Sequence, residues 1–165
     1  MDVPIFIYGG NLGKPQGIGF LLEVLISNLA NMNVFFLIIG SGTEFNTLKK
    51  WFDGNKPKNS ILLNGLPKDA YDELLQASDV GLIFLDKRFT IPNFPSRLLS
   101  YLECEMPVLA ATDVNTDIGH LAEANGFGFW CESGDLDSFN VHLKQLTSNP
   151  QLIAKMGLNG HRFLM

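Results

Sequence analysis

The sequence predicts an α/β domain built on a parallel sheet of about six strands, doubly wound with helices on both faces. Two observations carry this. Short runs rich in Ile, Val, Phe and Leu recur along the chain, and most end at a glycine or a small polar residue, as strands buried on both faces do. Between them lie stretches whose apolar residues fall three or four apart, giving each a single apolar helical face. Regular alternation of the two requires a parallel sheet joined by right-handed crossovers.

In order, strands are expected at PIFIYG, VFFLIIG, SILLNG, VGLIFL, PVLAAT and FGFWC. One helix carries Phe20, Leu21, Val24, Leu25 and Leu29 on its apolar face, another Tyr71, Leu74 and Leu75, and a third Leu98, Leu99 and Leu102. Pro95 presets φ for a first helical turn and Ser96 is a good capping residue, so the third helix is expected to start there and to end before Pro107. There is no internal repeat or linker. The closing MGLNGHRFLM stops inside a helical pattern, so residues 1–165 are read as a single domain cut from a longer protein.

At 165 residues, 46% apolar and 18% charged, the chain is long enough to bury a full core. Its net charge of −5 and pI near 5.1 argue against a surface that neutralises a nucleic-acid backbone. A small anion needs only one locally positive pocket. Cys104 and Cys131 sit in apolar segments without a CxxC spacing, which suits reduced thiols in a cytoplasmic protein and gives no support to a metal site or a disulfide. No apolar run reaches the ~18 residues of a membrane span, and the N-terminus lacks the build of a signal peptide.

In an open parallel sheet ligands sit beyond the carboxyl ends of the strands, which directs attention to the loops at 9–17, 40–44, 65–69, 86–96 and 112–117. The first reads YGGNLGKPQGIGF, Tyr8 to Phe20. It is not a Walker loop, because Lys14 is followed by Pro15 and Tyr8 stands where the first glycine belongs. Nor is it a dinucleotide fingerprint, since the second strand ends in Gly40-Ser41-Gly42 without the acidic residue that binds ribose. A response-regulator receiver is excluded by the absence of aspartates at YGG. What remains is a glycine turn that brings backbone N–H groups near a ligand, followed by a helix N-terminus near Gly17 or Ile18. The competing reading is a turn rich in glycine for packing, with Lys14 in water. The second stretch is FTIPNFPSRLLSYLECEMPVLAA. Arg97 falls in a first helical turn, where a cation is mildly unfavourable unless an anion docks there; otherwise it reaches into solvent.

Together and in this order, the stretches resemble the C-terminal, donor-binding half of a family-4 (group 1) retaining glycosyltransferase of the GT-B architecture, a Rossmann-like fold. YGGNLGKPQGIGFLLEVL resembles the family's glycine loop and its helix. FLIIGSGTEFNTLKK resembles the second strand and Gly-x-Gly turn, and ILLNGLPKDAYDELLQASDVGLIFL the base-binding strand and loop. FPSRLLSYLECEMPVLAA resembles the donor-binding helix in the form seen in bacterial polysaccharide enzymes. The resemblance implies that Gly10, Asn11, Gly13 and Gln16 approach a diphosphate, that Leu66 and Pro67 border the base, and that Ser96 to Leu98 offer N–H groups to phosphate or sugar. Lys14 and Arg97 are the candidates for stabilising the departing diphosphate. Members commonly hold an Arg and a Lys where this chain has Asn11 and Gln16, and two glutamates where it has Pro92 and Ser100. Ser100 would then make a weaker bond to the ribose.

The implied substrate is a nucleoside-diphosphate sugar, with no cofactor and no metal. The implied partner is an N-terminal acceptor domain outside this chain. The implied setting is the cytoplasm, peripheral to the inner membrane, in assembly of a surface polysaccharide. Two alternatives stand beside it: a non-catalytic α/β binding module, and half of a sugar-nucleotide epimerase. Of the remaining residues, His120, Asp113 and Asp117 lie in or after one candidate loop, the aspartates serving equally well as helix caps. His142 and His161 read as solvated surface. KKWFDGNKPK, Lys49 to Lys58, reads as an exposed helix end with its aromatics packed inward, against the alternative of a membrane contact.

Overall fold

In the computed structural model, which describes residues 3–88 and 97–165, the first apolar run forms strand β1 (Ile5–Asn11), followed by a 3-10 turn (Lys14–Gln16) and helix α1 (Ile18–Ser27). There follow β2 (Phe35–Ser41), α2 (Phe45–Asn55), β3 (Ser60–Leu63), α3 (Lys68–Gln76), β4 (Val80–Phe84) and α4 (Arg97–Glu103). The chain continues through β5 (Val108–Thr112), α5 (Ile118–Ala124), β6 (Gly128–Glu132), α6 (Leu136–Thr147) and α7 (Pro150–Leu164). Each expected strand is present. They pair in parallel in the order β3-β2-β1-β4-β5-β6, so the strand order reverses between β1 and β4.

Strand alternation sorts the core into two layers. Phe6 and Tyr8 of β1, Leu82 and Phe84 of β4, and Leu109 and Ala111 of β5 meet α1, α2 and α6. Ile7, Ile83, Val108 and Ala110 meet α3, α4 and α5 on the other face. Phe84 anchors the first layer, its ring 5.9 Å from that of Phe20 and 5.7 Å from that of Phe139; burying a side chain of that size contributes about 1.5–3 kcal/mol. Trp51 and Phe52, edge to face with each other, pack against the same layer, the inward arrangement expected for KKWF. Cys131 is buried and Cys104 half-buried, both as free thiols. Among the described residues no helix is long and apolar enough to cross a membrane.

The sheet parts where its order reverses. β1 pairs with β2 as far as Asn11↔Ser41 but with β4 only at Phe6↔Val80 and Ile7↔Gly81. Tyr101 of α4 fills the split: its hydroxyl lies 3.0 Å from the Leu82 carbonyl and 3.3 Å from that of Ile7, so one O–H serves two carbonyls left without strand partners. Gly81 makes this seating available, because a β-carbon there would overlap the Tyr101 ring. Seating Tyr101 also fixes what lies one turn earlier on the helix, at position 97.

Candidate functional site

Beyond the carboxyl ends of β1 and β2 lies a hollow of about 670 Å³. Its floor is the paired strand ends, Gly9, Gly10 and Asn11 against Ile39, Gly40 and Ser41. Gly65 and Leu66 from the loop after β3, Tyr71 of α3, and Arg97 and Ser100 of α4 complete the lining. The floor depends on missing side chains: a β-carbon on Gly40 would overlap the Gly10 carbonyl oxygen, and one on Gly9 would overlap the Tyr71 hydroxyl. Gly10 has φ 143°, a conformation that L side chains rarely adopt.

Arg97 is the only charged side chain among the described lining residues. Its guanidinium carbon stands 4.7 Å from the centre of the Tyr8 ring, within the range of a cation–π contact. Nη1 is buried and has no hydrogen-bond partner among the described residues. Burial presses the Arg97 pKa down, but Tyr8, Tyr101 and Tyr71 around it outweigh burial and leave it raised. The tyrosines are pushed up by burial, with the Arg97 charge acting against it. The hollow therefore presents one fixed positive charge with an unused donor over a floor of backbone. Chemically it can receive an anion.

The structure brings together Gly10, Asn11, Leu66, Arg97 and Ser100 from the expected residues. Lys14 does not join them. It is exposed and lines a neighbouring hollow of about 320 Å³ with Ile18, Gly19, Glu44, Asp86 and Arg88, where Arg88 is already forked onto Asp86 at 3.0 and 2.7 Å. The pairing of Lys14 with Arg97 on one ligand therefore remains an expectation: Lys14 stands on the 3-10 turn that follows Gly13 and lines the second hollow. Gly13 caps that turn, the Gln16 carboxamide oxygen is buried without a partner among the described residues, and Pro67 caps α3; none of the three is among the lining of the large hollow. The Leu98 side chain is fully buried in the second core layer. Ser96, with Pro92 and Pro95, lies outside the described residues. Glu103 is exposed and His120 is exposed, away from the hollow. Asp113 is buried, its carboxylate accepting from Asn115 N and Thr116 Oγ1, so it braces its own loop. Asp117 stands at the N-cap of α5 without a side-chain capping bond.

Sequence reading missed Tyr8 and Tyr71 as neighbours of the cation. Tyr71 reads as part of a helix's apolar stripe, and Tyr8 as the last large residue of a strand. The available signal was the glycine that follows Tyr8: a β-carbon on Gly9 would overlap the Tyr71 ring, so both tyrosines crowd the same strand end.

An open sheet of this order, with a glycine floor and the Arg97 guanidinium at its reversal, defines a doubly wound α/β domain with an anion-receptive hollow. A model of the family described as "Glycosyl transferases group 1" matches residues 1–163, and the chain belongs to that family. It is 26% identical over 131 residues to the probable glycosyltransferase WbjE of Pseudomonas aeruginosa, a match covering 79% of this chain and 32% of that protein. The chain thus spans about a third of the length of the curated relatives it matches, 32% of this one and 31% of another. Its fold is similar to that of a TarM mutant of S. aureus in complex with Fondaparinux, alpha-GlcNAc-glycerol and UDP, with a TM-score of 0.78 and 17% identity over 98% of this chain and 33% of that one. It is similar also to the C-terminal domain of the group 1 glycosyl transferase LpcC of Francisella tularensis, with a TM-score of 0.74 and 20% identity, covering 98% of this chain and 84% of that domain's.

Proposed function

We propose that this chain is the donor-binding part of a retaining glycosyltransferase: the large hollow holds the diphosphate of a nucleoside-diphosphate sugar, and the acceptor is bound by a separate domain. The observation that carries the reading is the half-buried, positively charged Arg97 guanidinium, whose buried Nη1 has no partner among the described residues, in a hollow whose described lining offers no carboxylate to repel an anion. UDP in the TarM complex supports this ligand class. A role in assembling a bacterial surface polysaccharide rests on the Pro-Ser-Arg sequence at positions 95–97.

Breaking the anomeric C–O bond leaves positive charge on the sugar and added negative charge on the diphosphate. A guanidinium already in position lowers the cost of that charge more in the transition state than in the bound ground state, because the charge grows as the bond breaks. The backbone of Gly9 to Asn11 lets the phosphates approach closely, and the open side near Leu66 and Gly65 accepts the base. Ser100, one turn after Arg97 on the same face, supplies a neutral hydroxyl to the nucleoside. The test is a calorimetric titration of the chain with UDP, GDP and ADP, paired with product analysis of the longer protein given a sugar nucleotide. Saturable binding of one nucleotide and transfer with retained anomeric configuration are expected. Release of an epimerised donor without acceptor would replace the transferase reading, and saturable binding with no turnover by the longer protein would favour a binding module.

A further inference from the structure

An arginine has a long side chain that samples many rotamers, and ordering it on binding weakens affinity unless something orders it beforehand. Arg97 has such a support. The Tyr8 ring lies under the guanidinium, with Cζ 4.7 Å from the ring centre. On the strand beside it, a methyl group on Gly10 would come within 3.4 Å of Cζ and Nη1. Tyr8 is itself fully buried, its ring 6.1 Å from that of Phe84, so it cannot turn aside. Its hydroxyl donates to the Asn11 carbonyl at 2.7 Å, which ties the same side chain to the strand end that floors the hollow.

We propose that Tyr8 is the positioning residue of this site: its ring face holds the Arg97 guanidinium in place before any ligand arrives, while its hydroxyl fixes the strand end beside it. One buried side chain thereby sets the cation and the backbone floor in register with each other. The inference rests on the diphosphate reading for its ligand but not for its geometry. The chemistry of the ring follows from its quadrupole, whose negative face attracts a cation. Phenylalanine keeps that face and loses the tie to Asn11. Pentafluorophenylalanine has nearly the same shape with the sign of the face reversed.

The experiment places tyrosine, phenylalanine and pentafluorophenylalanine at position 8 of the full chain. Each form is titrated with UDP, its melting temperature is measured, and the Arg97 Nε–Hε resonance is recorded without ligand. Tyr8→Phe is expected to bind UDP within about threefold of the unsubstituted chain, and the fluorinated ring to weaken binding by a further fivefold or about that. The Arg97 resonance should shift in the fluorinated form while its melting temperature stays with that of Tyr8→Phe, a separation that a purely packing role does not produce. An unmoved Arg97 resonance overturns the proposal, as does unchanged affinity or an affinity that falls only in step with the melting temperature. If the unsubstituted chain fails to bind UDP, the diphosphate reading falls, and the Arg97 resonance alone decides the role of Tyr8.

Discussion

Arg97 and Lys14, the two candidates for the departing diphosphate, line different hollows. Arg97 stands in the large hollow with Nη1 unpartnered among the described residues, whereas Lys14 lies in the smaller one among both signs of charge. Charge-assisted hydrogen bonds contribute about 1.5–3 kcal/mol, so Arg97→Met should weaken UDP binding by about 10- to 100-fold and Lys14→Met by less than about threefold, read by calorimetry. Ser100 yields a less obvious expectation. A glutamate there restores the residue type common in the family, but one turn from Arg97 its carboxylate would pair with the guanidinium and consume the spare donor. Ser100→Glu is therefore expected to weaken UDP binding by about tenfold, through a pairing of this kind, and tighter binding would show that the carboxylate reaches the ribose instead.

At the scale of elements, the site is a consequence of two close approaches. The ends of β1 and β2 fit together only because Gly40 leaves room for the Gly10 carbonyl, and α4 reaches the split only because Gly81 leaves room for Tyr101. Gly40→Ala forces backbone apart rather than a flexible side chain, and overpacking of this sort costs about 1–3 kcal/mol; denaturant unfolding should show the loss, with UDP binding abolished. β6 carries an alkaline weak point. Burial of Cys131 pushes its thiol up from 9.0 to about 12. The folded state holds that proton where the unfolded chain has released it, so stability is full below pH 9 and declines as pH rises from 9 toward 12. The buried Tyr8 and Tyr101 hydroxyls, also raised by burial, add a decline in the same direction at higher pH. Unfolding free energies measured across this range should fall for the native chain; Cys104, its thiol also raised by burial, contributes to the part that sets in first, and Cys131→Ala should lessen that part.

Across the whole molecule, the strands were legible because each is buried on both faces and so reads as an unbroken apolar run closed by a small residue. The strand order was not legible from periodicity, but right-handed crossovers restrict it, and the ends of β1 and β2 fell where loops were expected to bind. Burial direction within the loops was hidden. Lys14 stands on a 3-10 turn and lines a different hollow from Arg97, and Leu98 and Arg97 are neighbours in sequence of which one faces the core and the other the large hollow. The Tyr8 contact was hidden for a further reason: it joins residues 89 positions apart across the split between β1 and β4, and no local pattern records it.

The central claim is that a nucleoside diphosphate lodges between the ends of β1 and β2 and the first turn of α4. Amide shift mapping of the labelled chain during titration with UDP tests it most directly. Saturable shifts at Gly9 to Asn11, Gly40 to Ser41, Gly65 to Leu66 and Arg97 to Ser100, lost in Arg97→Met, are the expected result. Shifts gathered instead around Lys14, Glu44 and Arg88, or persisting unchanged in Arg97→Met, would contradict it.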